Sequence, residues 1–159
     1  MRVQLPDHGV FLHWPEPGEQ WIHPDDIALA TRLIPSTRVL RRFRFDGTYY
    51  HLAYGTQRIR IRPVMWLQLE DEGFDMQQWV EVRSIGLSRE PYVGQIIDVR
   101  YDRRARKVRY SVRRAEMSQP RKYEAHELKS LVDRNVLTTS DFKTNRLPID
   151  ADYTSRGQK

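Results

Sequence analysis

Between Arg100 and Arg113 the chain gathers seven cations, Arg100, Arg103, Arg104, Arg106, Lys107, Arg109 and Arg113, interleaved with Tyr101, Val108, Tyr110 and Val112. A guanidinium is a planar fork of donors that matches phosphate or carboxylate oxygens. A row of them displaces counterions when it meets a phosphate backbone. The chemistry on offer is anion recognition. A second set, Arg58, Arg60 and Arg62, alternates with Ile59 and Ile61, and Arg38, Arg41, Arg42, Arg44, Tyr49 and Tyr50 lie near it in sequence. Arg beside Tyr can grip phosphates and stack bases. Both sets also have a plainer explanation. A half-buried strand turns its apolar and aromatic residues inward and leaves its charges in water, and for the first set Asp98, Asp102 and Glu81 are at hand as local partners.

The charge is unevenly spread. The 159 residues carry a formal net charge of +6. Residues 100–122 hold ten basic and two acidic side chains, whereas residues 71–99 hold two basic and six acidic. Arg outnumbers Lys by 22 to 5, a bias that Arg-rich coding would also produce. There is no cysteine, which removes disulfides, cysteine nucleophiles and thiolate metal sites and makes a reducing cytoplasm the expected location. No run approaches the roughly 20 apolar residues that span a bilayer, so a soluble protein without a membrane partner is expected. His8, His13, His23, His51 and His126 show no paired ligand spacing, and His126-Glu127 lacks a second His four residues on. No Gly-rich phosphate loop, nucleophile elbow or paired-carboxylate signature is present. The expectation is a non-enzyme with no metal and no cofactor.

These residues must be positioned by strands. Pro24, Asp25 and Asp26 open a helix over about 24–34 that Pro35 stops, with Ile27, Ala30 and Leu33 or Ile34 on its inner face. Before it, Val10, Phe11, Leu12 and Trp14 form an added strand or a strap in an otherwise irregular first twenty residues. From Thr37 the period becomes two. Asp46-Gly47 turns one hairpin, Gly55-Thr56 the next, and Pro63 interrupts the following strand before Val64–Leu69. An acidic segment, residues 69–75, separates a second group of strands. In it Ile97, Val99 and Tyr101 are expected to face inward opposite Val108, Tyr110 and Val112, with Ile96, Asp98 and Arg100 outward. A second helix is expected in residues 124–135, where Ala125, Leu128 and Leu131 share a stripe. The expected fold is mainly β, with two small antiparallel lobes (residues 1–70 and 76–135), two short helices and a mobile tail over 136–159.

The order strand, loop, long strand, tight hairpin, strand, short strand and helical turn, over residues 78–131, resembles the Tudor-like and SH3-like small β-barrels, including basic bacterial versions. The residues carrying the likeness are Trp79-Val80-Glu81-Val82, Gly94, Val99 with Tyr101, the series Val108, Tyr110 and Val112, and Tyr123 before Leu128. The resemblance implies a non-catalytic binding module, since such barrels recognise methylated or charged peptides or nucleic acid. Methyl-lysine reading needs an aromatic cage. Only Tyr92, with Tyr123 as a second wall, is available here, and a basic surface repels a basic tail, so the cage is not carried over. Two readings follow. Either the Arg-rich strands contact the phosphate backbone of RNA or DNA, or the domain is a protein–protein adaptor whose barrel edge, or whose Trp66 and Trp79, receives a partner.

Overall fold

A computed structural model describes residues 7–15, 19–84, 90–115 and 117–131, with the backbone alone at 117–120. The loop 85–89 and the tail 136–159 lie outside the described residues. The strands make two antiparallel five-stranded sheets.

In the first sheet β1 is Asp7–Val10, β2 Leu40–Phe45, β3 Tyr50–Tyr54, β4 Gln57–Ile61 and β5 Leu67–Leu69, in the order β4-β3-β2-β1-β5. The turn chemistry closes both hairpins as the sequence predicts. Gly47 and Gly55 adopt positive φ of 96° and 61°. The Asp46 carboxylate accepts the amides of Thr48 and Tyr49 and faces His51 Nε2 at 2.8 Å. These contacts, the Tyr49 amide foremost, hold its carboxyl far below the usual range. A strand does form at the start of the chain and lies inside the sheet, but of the apolar cluster only Val10 belongs to it; Phe11, Leu12 and Trp14 follow it. Val10 and Phe11 are fully buried, and β1 pairs with β2 on one side and β5 on the other. The resumed strand after Pro63 therefore joins β1, not β4, and is only three residues long.

The first helix forms where expected, as a 3₁₀ turn at Pro24–Asp26 continuing into α1, Ile27–Leu33. Ala30 and Leu33 are buried, and Ile27 and Leu29 pack on the same cluster as Trp21, Ile22, Leu40, Leu52, Ile59 and Ile61. Asp26 reaches off this turn to β4. Its carboxylate accepts the Arg60 backbone amide and the guanidinium Nε, each at 2.8 Å. The Arg60 side chain is the main reason the Asp26 carboxyl sits below its ordinary value. A depressed carboxylate adds stability above its unfolded pKa and loses it as pH falls through the folded value. Asp26→Asn should therefore lower the melting temperature at pH 7 and flatten the acid limb of stability below about pH 4. Thermal melts across pH on both proteins test this.

In the second sheet β6 is Trp79–Val82, β7 Tyr92–Asp102, β8 Lys107–Arg114, β9 Met117–Tyr123 and β10 Leu128–Ser130, in the order β10-β6-β7-β8-β9. The first and last strands of this order do not pair, so the sheet is open rather than a closed barrel. The expected second helix is corrected. Residues 125–127 make a single 3₁₀ turn, closed by a reciprocal capping box between Glu124 and Glu127, and the chain then extends into β10. The edge of β6 explains this outcome. Its backbone groups need partners, and Leu128 opposite Val82 completes the ladder while remaining buried. Residues 132–135 of the expected helix lie outside the described residues, so α1 is the single α-helix described.

Among the described residues one backbone pairing joins the sheets. The Val39 amide donates to the Val99 carbonyl at 3.0 Å and the Tyr101 amide to the Thr37 carbonyl at 2.7 Å, just before β2 begins. Val10 and Val39 accordingly pack with Val80, Val82, Ile96, Val99, Tyr110, Val112 and Leu128 in the second core. Among the described residues no helix is long and apolar enough to cross a membrane.

Candidate anion-binding face

The β7–β8 hairpin carries the candidate site. Its inner side differs from simple alternation at one place. Ile96 pairs with Val112 and Asp98 with Ser111, which leaves Ile97 as a bulged residue. Ile96 is thus fully buried and Ile97 only half-buried, the reverse of the expected orientation, while Val99 and Tyr101 keep theirs. On β8, Tyr110 and Val112 are buried and Val108 half-buried, as alternation predicts.

The turn at the tip is built by Asp102, whose Oδ1 accepts the amides of Arg104 (3.0 Å) and Ala105 (3.1 Å). The Ala105 amide is the chief reason its carboxyl sits below the ordinary range. Arg106 completes the turn at φ 53°. Arg103, Arg104 and Arg106 are all exposed, and no carboxylate among the described residues pairs with any of them.

The strand cations behave differently. Arg100 sits directly opposite Arg109, an arrangement that costs a few tenths to about 1 kcal/mol unless compensated. Arg100 donates Nε to Asp98 at 2.9 Å. Arg109 donates Nη1 to Glu124 at 2.5 Å, and its Nε faces Asp102 at 3.7 Å. Lys107 reaches the other oxygen of Glu124 at 3.2 Å and heads the causes that hold the Glu124 carboxyl low. Arg113, toward the far end of the hairpin, contacts only the Gln95 amide oxygen, at 3.4 Å.

Of the second arginine set, Arg38 pairs across the backbone with Arg100 but donates its guanidinium to the Arg32 and Leu33 carbonyls, and Arg41, Arg42, Arg58, Arg60 and Arg62 are engaged elsewhere. Arg60 is held by Asp26 and Asp25. Arg58 lies 4.7 Å over the Phe43 ring and Arg62 5.8 Å over Tyr49. Arg41 pairs with Asp75 at 3.3 Å. Arg42, expected outward, is buried. It pairs with Asp7 and stacks 4.4 Å over Tyr50, on the inner side of a bulge at Phe43. Trp66 is also turned into the core, edge-on to Phe11 and Tyr50, whereas Trp79 is 54% exposed.

Beside the hairpin lies a polar cavity of about 500 Å³ lined by Thr37, Asp98, Arg100, Tyr101, Asp102, Arg109 and Lys122. Thr37 and Lys122 were absent from the sequence-based candidates. Only the long-range pairings of Thr37 with Tyr101 and of Lys122 with Ser111 bring them there. On the other side of Tyr101, Tyr110 donates its phenol to Glu72 at 3.2 Å. Burial pushes the pKa of both upward. The pair joins the acidic segment to the second core. Among the described residues no three His, Asp or Glu side chains group as metal ligands.

A family model spans both sheets, matching residues 1–129. The chain belongs to the family of unknown function DUF6960. No curated protein and no solved structure matches it.

Proposed function

We propose that this is a non-catalytic binding module whose β7–β8 hairpin tip contacts the phosphate backbone of RNA or DNA without strong sequence choice. One observation carries the reading. Arg103, Arg104 and Arg106 sit together in an exposed four-residue turn without carboxylate partners among the described residues, while Arg100, Lys107 and Arg109 each have one. Three exposed guanidiniums on a turn whose backbone Asp102 fixes offer adjacent donors to phosphate oxygens. The contact surface is thereby narrower than alternation suggests. Arg100, Lys107 and Arg109 flank the tip, and Arg58, Arg60, Arg62 and Arg113 lie outside it.

The likeness to Tudor-like and SH3-like barrels belongs to this proposal. Its support is the succession of β6, a loop, the long β7, a tight hairpin, β8, β9, a 3₁₀ turn and β10, with β10 returning to β6. The return of the last strand to the first in chain order, with the second core on one face of the sheet, is what supports the likeness.

The test is binding to mixed-sequence RNA and DNA by the native protein and by a variant with Arg103, Arg104 and Arg106 all changed to Glu. Native affinity should fall roughly 40-fold between 50 mM and 200 mM salt for about three phosphate contacts on duplex. The triple variant should lose binding while melting at the same temperature. Absence of binding at low salt would refute the reading. The adaptor reading has one observation in its favour: Trp79 and Val93 are 54% and 49% exposed on the outer face of β6 and β7. It predicts a co-purifying protein partner lost on Trp79→Ala, and no dependence on the tip arginines.

A further inference from the structure

We infer that the cavity between Thr37 and strands β7, β8 and β9 binds a phosphate monoester, held by Arg100, Arg109 and Lys122. This rests on the nucleic-acid reading only for the source of the monoester, a phosphorylated strand end; a free mononucleotide carries the same group.

The argument begins with which nitrogen atoms are already used. Arg100 gives its Nε to Asp98, and no partner among the described residues takes its two terminal nitrogens. Arg109 is fixed by Glu124 at Nη1 and by Asp102 near Nε, which leaves Nη2. Lys122 is exposed and has no carboxylate partner among the described residues. Asp98 thus positions Arg100 at Nε, and Glu124 with Asp102 positions Arg109 at Nη1 and Nε. Arg100, Arg109 and Lys122 line the same cavity.

Strand register brings these charges together. Arg100 and Arg109 form one rung, and Asp98, Ser111 and Lys122 form the rung two residues away. Three cations from three strands against two carboxylates leave the lining one positive charge in excess. A monoester brings three free oxygens and a charge of about −1.5 to −2 near pH 7, because its second pKa lies near 6. A diester in mid-strand brings two free oxygens and a single charge. The cavity's three donor groups match the former, and its volume of about 500 Å³ admits a nucleotide rather than a bare ion alone.

The experiment uses one short oligoribonucleotide in 5′-phosphorylated and 5′-hydroxyl forms, bound to the full chain, to Lys122→Glu and to the tip triple variant. The phosphorylated form should bind the full chain roughly tenfold or more tighter, as one or two additional charge-assisted hydrogen bonds would give. That preference should grow from about pH 5 to pH 7 as the monoester gains its second charge, and vanish in Lys122→Glu. In the tip variant the preference should persist on a weakened background. Equal affinity for both ends in the full chain, or a preference unchanged in Lys122→Glu, overturns the inference. If equal ends coincide with loss of binding in the tip variant, the tip reading survives and the cavity falls. If the preference survives with no weakening in the tip variant, the cavity stands and the tip reading falls. If neither oligonucleotide binds, adenosine monophosphate titrated against the Thr37 and Lys122 amide signals decides. Saturable shifts uphold the site, and none by about 10 mM removes it.

Discussion

Asp7→Ala is expected to destabilise the protein by about 3–5 kcal/mol, seen as a drop of roughly 10–15 °C in melting temperature. Arg42 explains the size of the effect. Its side chain is 6% exposed, its Nε has no hydrogen-bond partner, and its terminal nitrogen is satisfied by Asp7 across the β1–β2 pairing. Removing the carboxylate strands a buried guanidinium whose remaining compensation is the Tyr50 ring, and cation–π contact is worth about 0.5–2 kcal/mol. The ion pair itself need not be a net stabiliser, since burying two charges costs as much as their attraction returns. Asp7→Leu combined with Arg42→Met should therefore recover most of the loss. A double variant as unstable as Asp7→Ala would contradict the account, and so would a single variant indistinguishable from native.

The second large effect is at Gly9. It lies in the middle strand of the pairing β2-β1-β5, where Trp66 crosses directly over its α-carbon. A β-carbon there would stand 2.3 Å and 2.4 Å from two Trp66 ring atoms and 2.7 Å from the Leu67 carbonyl oxygen. Gly→Ala ordinarily gains about 0.4–1 kcal/mol by restricting the unfolded chain. Here that gain is outweighed. The indole is wedged between Phe11 and Tyr50, the carbonyl belongs to a paired strand, and overpacking a well-filled core costs about 1–3 kcal/mol. Gly9→Ala should be destabilised by about 2 kcal/mol or more in chemical denaturation, with altered Trp fluorescence. A neutral or stabilised Gly9→Ala would show that Trp66 can leave its place freely.

The same two residues show why part of the fold was not legible beforehand. Asp46-Gly47, Gly55-Thr56 and the alternation in Arg58–Arg62 and Val108–Val112 are local signals, and the hairpins formed on them. β1 could not be told from a strap, nor its bounds read, because its β2 partners are more than 30 residues away and its length is only four. Nothing in Arg38–Phe45 announces that Arg42 faces inward, since the partner that neutralises it, Asp7, lies at the start of that strand, before the apolar cluster. The bulge at Ile97 inverts Ile96 and Ile97 without any Gly to announce it. The stripe Ala125, Leu128, Leu131 fits a helix as well as anything local can, and an unpaired β6 edge overrode it. The candidate site divides likewise. The tip cations are read directly from their run in the chain, but which cations carry a carboxylate depends on Glu124 and on the register that places it beside Lys107 and Arg109.

The claim that three tip guanidiniums meet phosphates is tested most directly by the slope of log affinity against log salt for mixed-sequence nucleic acid. It should be measured on the native chain and on the single variants Arg103→Gln, Arg104→Gln and Arg106→Gln. The account predicts a native slope of about −2 to −3, with each single variant shallower by about 0.7–0.9. A native slope near zero, or slopes unmoved by all three substitutions, would contradict it.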